Sequence, residues 1–126
     1  MPSRNAGTAA AAGAPLRELP ERERLACRFA ALSNPVRLEL LELLLDAETE
    51  AETAGVGRTI TDLAARAELS RFTASRHLAI LRHAGLAAAV HEGRRQLHRI
   101  DREGLARLDD WLYPYVIDAD AVGGAE

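Results

Sequence analysis

Two short stretches of this chain carry side chains suited to reading a polyanion. The first is SRFTASRHLAILRHAG, residues 70–85, in which Ser70, Arg71, Thr73, Ser75, Arg76 and His77 crowd the start of a segment whose Ala74, Leu78 and Leu81 recur at helical spacing. On a helix the apolar stripe turns inward and the polar set is left near the exposed N-terminal end. The second is HEGRRQ, where Arg94 and Arg95 follow Gly93, a residue able to supply the turn of a hairpin tip. A guanidinium can donate two parallel bonds to guanine O6 and N7, and a short helix bearing one fits the roughly 12 Å wide major groove of DNA. A hairpin tip with two arginines reaches the minor groove or its phosphates. Each stretch also has a plainer reading, as a solvated helix face or as a charged tip that keeps an edge strand soluble.

The charge distribution favours the first reading. Sixteen basic and nineteen acidic residues give a net charge of −3, which by itself would repel phosphate. From Arg66 to Arg107, however, nine arginines face four acids, an excess of +5, and the rest of the chain carries −8. The positive charge is therefore gathered on the two candidate stretches, as a nucleic-acid-binding module requires.

Other classes fit poorly. A chain of 126 residues, 48% hydrophobic and 28% charged, makes one globular domain and leaves no room for a cleft between two. Five aromatic residues are too few for the stacking platform of a single-strand binder. No Gly-rich phosphate loop or nucleophile–base spacing is present, so no catalytic residue and no cofactor are expected. No apolar run is long enough to span a bilayer, and the lone Cys27 suits a reducing compartment, which places the protein in the cytoplasm.

The elements that must position the candidate residues follow from periodicity and caps. All sixteen basic residues are arginine, and 25 alanines with 19 leucines favour helix. Residues 1–14 read as a flexible Ala-rich tail. Pro20 opens a first helix, PERERLACRFAAL, and Asn34-Pro35 opens a second, VRLELLELLL, expected to be mostly buried. Residues 46–58 read as a solvated acidic loop. Thr61 is the expected cap of a third helix, TDLAARAEL, and Ser70 caps the fourth after a tight turn, with Gly85 ending it. Two strands around Gly93 form a hairpin. Asp101 caps a last helix with a stripe of Leu105, Leu108, Leu112 and Val116 that Pro114 should end or kink. Residues 118–126 read as an acidic tail.

This order of elements, with ALSNPVRLELLELL, LSRFTASRHLAILRHAGL and EGRRQLHRI at their places, resembles the ArsR/SmtB-type family of winged helix-turn-helix repressors over about residues 25–112. The resemblance implies a mainly α fold with a small β-hairpin, spanning residues 15–117, with recognition helix 70–84 and wing 87–100. It further implies a homodimer joined through the first and last helices, with Leu25, Phe29, Leu105, Leu108, Trp111 and Leu112 at the seam. Such a dimer binds double-stranded operator DNA as an inverted repeat and releases it when an inducer, here an unknown small molecule, binds. A winged-helix module that binds protein, or an architectural DNA binder without sequence preference, is the alternative.

Departures from the family are informative. Where metal-sensing members carry a Cys-x-Cys pair, this chain reads Thr59-Ile60-Thr61, and residues 101–117 hold carboxylates but no His, so no metal site is expected. Phe72 stands where the family has a small or polar residue and is expected to pack beneath its helix rather than touch bases. Glu68 falls in the helix-turn-helix corner, where a left-handed conformation would cost it about 1 kcal/mol. His98 is expected as a half-buried packing residue of the wing, and Cys27 as an inert small hydrophobe. Trp111, Tyr113 and Tyr115 fit either a helical seam or a small-molecule pocket, the seam being preferred.

Overall fold

The computed structural model describes residues 14–118, so the two expected tails lie outside the described residues apart from Ala14 and Asp118. A short 3-10 turn, Leu16–Glu18, leads into α1 (Glu21–Leu32) and α2 (Pro35–Thr49). Then follow β1 (Arg58–Thr59), α3 (Ile60–Ala67), α4 (Arg71–His83), β2 (Ala87–Glu92), β3 (Arg95–Ile100) and α5 (Arg102–Val116). The strands form one antiparallel sheet in the order β1-β3-β2, with Arg58 opposite His98 and Val90 opposite Leu97. The hairpin expected from the sequence is thus present, with a third strand, β1, that its two residues were too short to announce.

Local chemistry sets most boundaries. Asn34 Oδ1 accepts from the Val36 and Arg37 amides at 2.9 and 3.2 Å, and Pro35 occupies the first position of α2. That helix runs four residues further than expected, through residues 46–49. Buried Ala47 continues the inward stripe of Leu40 and Leu44, so the acidic segment becomes loop only after Thr49. Nor is α2 mostly buried: Leu38 and Leu45 lie on its exposed side.

The cap of α3 is Thr59, not Thr61. Pairing with Leu97 holds Thr59 in the extended conformation a cap needs, and its hydroxyl accepts from the Asp62 amide at 3.1 Å. Glu68 ends α3 with φ 56° and ψ 46°, a left-handed geometry that strains a residue with a Cβ, and its amide returns to Ala64 and Ala65.

The core is aliphatic. Leu40 and Leu44 of α2, Leu63 of α3, Leu78 and Leu81 of α4, and Leu86 before β2 have almost no exposed surface. Truncating any one of them to Ala should cost about 2 to 5 kcal/mol. The start of α5 lies flush against the turn after α4, because a Cβ placed on Gly104 would collide with the Gly85 carbonyl oxygen. Asp101 caps α5 through the Gly104 amide at 3.4 Å. Pro114 does not end α5, which continues to Val116. The expected inward stripe of α5 holds only in its first half: Leu108 is buried and Leu105 partly so, whereas Leu112 and Val116 face outward.

Candidate nucleic-acid interface

The stripe of Ala74, Leu78 and Leu81 seats α4 on the core and thereby fixes which residues face away. At about 100° per residue, Phe72 and Arg76 lie about 160° on either side of Ala74, opposite the core, while Thr73 and Ser75 lie about 100° from it and Arg71 and His77 only about 60°, beside the core stripe. Arg71 and Arg76 are exposed, and among the described residues neither has a carboxylate within salt-bridge reach. Ser70 caps the helix: its Oγ accepts from the Thr73 amide at 3.0 Å and lies 2.9 Å from Thr73 Oγ1. These two hydroxyls are therefore partly engaged with each other, and Thr73 and Ser75 are only half-exposed.

Phe72 does not pack beneath the helix. It is 71% exposed, and the guanidinium carbon of Arg76 stands 5.7 Å from its ring centroid. The inward positions are spaced from Ala74 onward, and residue 72 falls half a turn away from them, so packing was never geometrically open to it.

His77 is less free than the sequence suggested. Its Nδ1 lies 3.2 Å from Arg37 Nη1. Arginine only donates, so Nδ1 accepts and the ring proton sits on Nε2. Desolvation, then the charges of Arg37 and Arg76, lower its pKa below the usual value, and the ring is neutral. Arg37 itself binds the end of α1, donating from Nε to the Ala31 carbonyl at 2.6 Å. It thus ties the last turn of α1 to the recognition helix, a role its distance of forty positions from His77 hid from sequence reading.

The wing projects beside α4. Gly93 has φ +66°, and the Gly93-Arg94 pair closes the hairpin between opposed Glu92 and Arg95. Arg94 and Arg95 are exposed, again without a carboxylate partner among the described residues. The wing is bound to α4 by His98, which is buried completely rather than by half. Arg82 Nη1 donates to its Nε2 at 2.8 Å, which leaves the proton on Nδ1, a buried atom with no hydrogen-bond partner among the described residues. Burial and the neighbouring Arg82 charge push its pKa down to about 4.

Beside His98, β1 holds a second buried polar group that the sequence did not flag. Arg58 donates from Nη1 to Asp62 at 2.9 Å, from Nη2 to Glu50 at 2.8 Å and from Nε to the Leu43 carbonyl at 3.1 Å. Burial alone would lower its pKa, but the bonds to Asp62 and Glu50 outweigh that and raise it, while desolvation of Asp62 is outweighed by Arg58 and Arg66, which hold its carboxyl below the usual range.

The expected seam residues differ in exposure. Phe29 and Trp111 meet edge to face with centroids 5.5 Å apart, and Trp111 lies against Tyr115 at 4.7 Å. Leu25, Phe29 and Leu105 are partly buried, and Leu112 is exposed. Leu108 is only 4% exposed and belongs to the core, so it offers no surface to a second chain. Trp111, with Arg24, Leu25, Arg28 and Asp110, lines a cleft of about 1030 Å³ that Tyr113 and Tyr115 do not reach.

Metal ligation does not suit the residues present. Thr59 Oγ1, at the position of the family's thiolate pair, is engaged as a helix cap, and α5 contains no imidazole. Among the described residues no three His, Cys, Asp or Glu side chains gather in a manner able to hold an ion. No helix among them is long and apolar enough to cross a membrane.

A tight helix pair, α3 and α4, backed by a small sheet with a projecting hairpin, defines a winged helix-turn-helix domain. The chain matches the family described as "Helix-turn-helix domain" over residues 32–90. It is 29% identical over 90 residues to the uncharacterized HTH-type transcriptional regulator YbzH of Bacillus subtilis, covering 67% of this chain and 90% of that one. Among solved structures it is similar to the homodimeric winged helix-turn-helix DNA-binding domain of a possible ArsR-family transcriptional regulator from Mycobacterium bovis, with a TM-score of 0.56 and 32% identity over 74% of this chain and 78% of that one. An ArsR-like transcriptional regulator from a Rhodococcus species gives a TM-score of 0.59 and 28% identity over 81% and 88% of the two chains. The chain belongs to the ArsR family and is a helix-turn-helix transcriptional regulator.

Proposed function

We propose that the protein is a homodimeric repressor that binds an inverted-repeat operator in double-stranded DNA without a bound metal. Recognition helix 70–84 enters the major groove and wing 87–100 lies over the adjacent backbone. Arg76 reads a guanine; Arg71 and His77, on the flanks of the helix, serve the groove walls, with Ser70, Thr73 and Ser75 lining its N-terminal end. Arg94 and Arg95 neutralise phosphates. The observation that carries this reading is the placement of four exposed arginines without a carboxylate partner among the described residues, Arg71 and Arg76 on α4 and Arg94 and Arg95 at the wing tip; Arg17, Arg22 and Arg99 share that exposure but lie outside α4 and the wing tip.

The dimer is supported by the apolar surface of α5, where Trp111, Leu112, Tyr113, Tyr115 and Val116 are all exposed, and by the homodimeric state of the Mycobacterium bovis relative. Leu25, Phe29, Leu105, Trp111 and Leu112 form the seam. A small-molecule inducer would enter the cleft beside Trp111, which adjoins this seam and contains Arg28, whose buried Nε has no hydrogen-bond partner among the described residues.

The test is selection from a random duplex library at two salt concentrations, repeated with Arg76→Ala. An enriched inverted repeat, with half-sites about one helical turn apart, is expected from the wild type. Arg76→Ala should lose about 1 to 3 kcal/mol and one position of preference. No enrichment at either salt, or an unchanged preference in a folded Arg76→Ala dimer, overturns the respective assignment.

A further inference from the structure

We propose that Phe72 is a specificity-determining residue that reads the C5-methyl group of a thymine in each operator half-site; the inference rests on the DNA-reading role proposed for α4. A phenyl ring 71% exposed, on a helix whose inward face is complete without it, keeps apolar surface in water for no gain in folding. Its place is the outward line of α4, in the first turn, one turn before Arg76 on the same line. That line is the part of a recognition helix that reaches furthest into a major groove. There the one apolar feature on a base edge is the thymine methyl, which phenylalanine is able to cover.

The neighbours of the ring agree with this role. Arg76 stands over one side of it, with 5.7 Å between guanidinium carbon and ring centroid, so an arginine placed for guanine and a ring placed for thymine support each other. Ser70 and Thr73, which bracket Phe72, are tied together at 2.9 Å in the cap and hold the first turn from which the ring projects. A ring so placed reads an apolar group, and a pyrimidine carrying a methyl at C5 supplies it.

Phe72→Ala should leave the fold intact, since the side chain makes no core contact. Duplex selection is run with the wild type and with Phe72→Ala, and affinity is then measured on the selected operator with thymine replaced by deoxyuridine at each position in turn. Wild type should show one thymine per half-site whose replacement weakens binding about four-fold, the worth of one buried methyl. Phe72→Ala should have lost the preference there and be indifferent to the replacement, while keeping the guanine that Arg76 reads. A wild type that selects no sequence overturns both this inference and the function it rests on. A selected operator with the same thymine preference in Phe72→Ala, or with deoxyuridine equally costly to both proteins, overturns the inference alone. Loss of the guanine preference in Phe72→Ala, with thymine still read, also overturns it and makes the ring a prop for Arg76.

Discussion

The buried side of the small sheet and the outward face of α4 with the wing tip both rest on arginine and histidine, yet they use them in opposite ways. Arg58 and His98 sit opposite each other on β1 and β3, 2% and 0% exposed, and, His98 Nδ1 apart, spend their hydrogen-bonding capacity on the protein itself. Arg71, Arg76, Arg94 and Arg95 are exposed and bind no carboxylate among the described residues. Desolvated groups must be satisfied internally or the fold loses stability; hydrated groups can stay unpaired because water satisfies them until a phosphate or base displaces it. Residue type therefore says little about role here, and burial says a great deal.

The buried pair responds most strongly to pH. Folded His98 titrates near 4 and an unfolded histidine near 6.5, so between these values the unfolded chain binds a proton that the folded chain refuses. Stability should hold at neutral pH, fall as pH drops through this window, and be lower by about 3 kcal/mol below it. Urea melts at steps from pH 7 to 4 read this directly, and His98→Gln, which can still accept from Arg82, should flatten the slope.

Next in size is Arg58→Met. Removing the guanidinium orphans the Leu43 carbonyl and two carboxylates, but Glu50 and Asp62 are about 40% exposed on their side chains and can rehydrate, so a loss of about 2 kcal/mol is expected rather than the cost of a fully buried pair. The sequence preference in DNA selection should not change. Arg94→Ala should do the reverse: no change in the melting transition, a uniform loss of affinity over all duplexes, and a logarithmic salt slope shallower by about 0.9 for each phosphate contact removed per subunit. Affinity titrations at several salt concentrations decide it, and an unchanged slope would place Arg94 off the backbone.

Much of the fold was legible because caps and stripes are local. Asn34-Pro35, Ser70, Asp101 and the Ala74, Leu78, Leu81 stripe each act within a few residues, and the structure has them where the sequence put them. Two of the errors originate in tertiary context. Thr59 rather than Thr61 caps α3 because a strand partner, Leu97, holds it extended. The end of α2 was hidden because alanine at 47 is a weak apolar signal until the core is seen to close over it. Phe72 was assigned to packing on its chemistry, whereas the helical phase of the stripe places it outside.

The helix pair, the hairpin and the concentration of positive charge between Arg66 and Arg107 are written locally, because periodicity, capping and net charge are properties of neighbouring residues. Which basic groups are available to a ligand follows from the packing of distant segments. Arg37 meets His77 and Arg82 meets His98 across helices and strands brought together by the core, and Arg58 meets Glu50 only because β1 joins the sheet. Pairing of that kind depends on distance in space, and a guanidinium with a partner is spelled the same as one without.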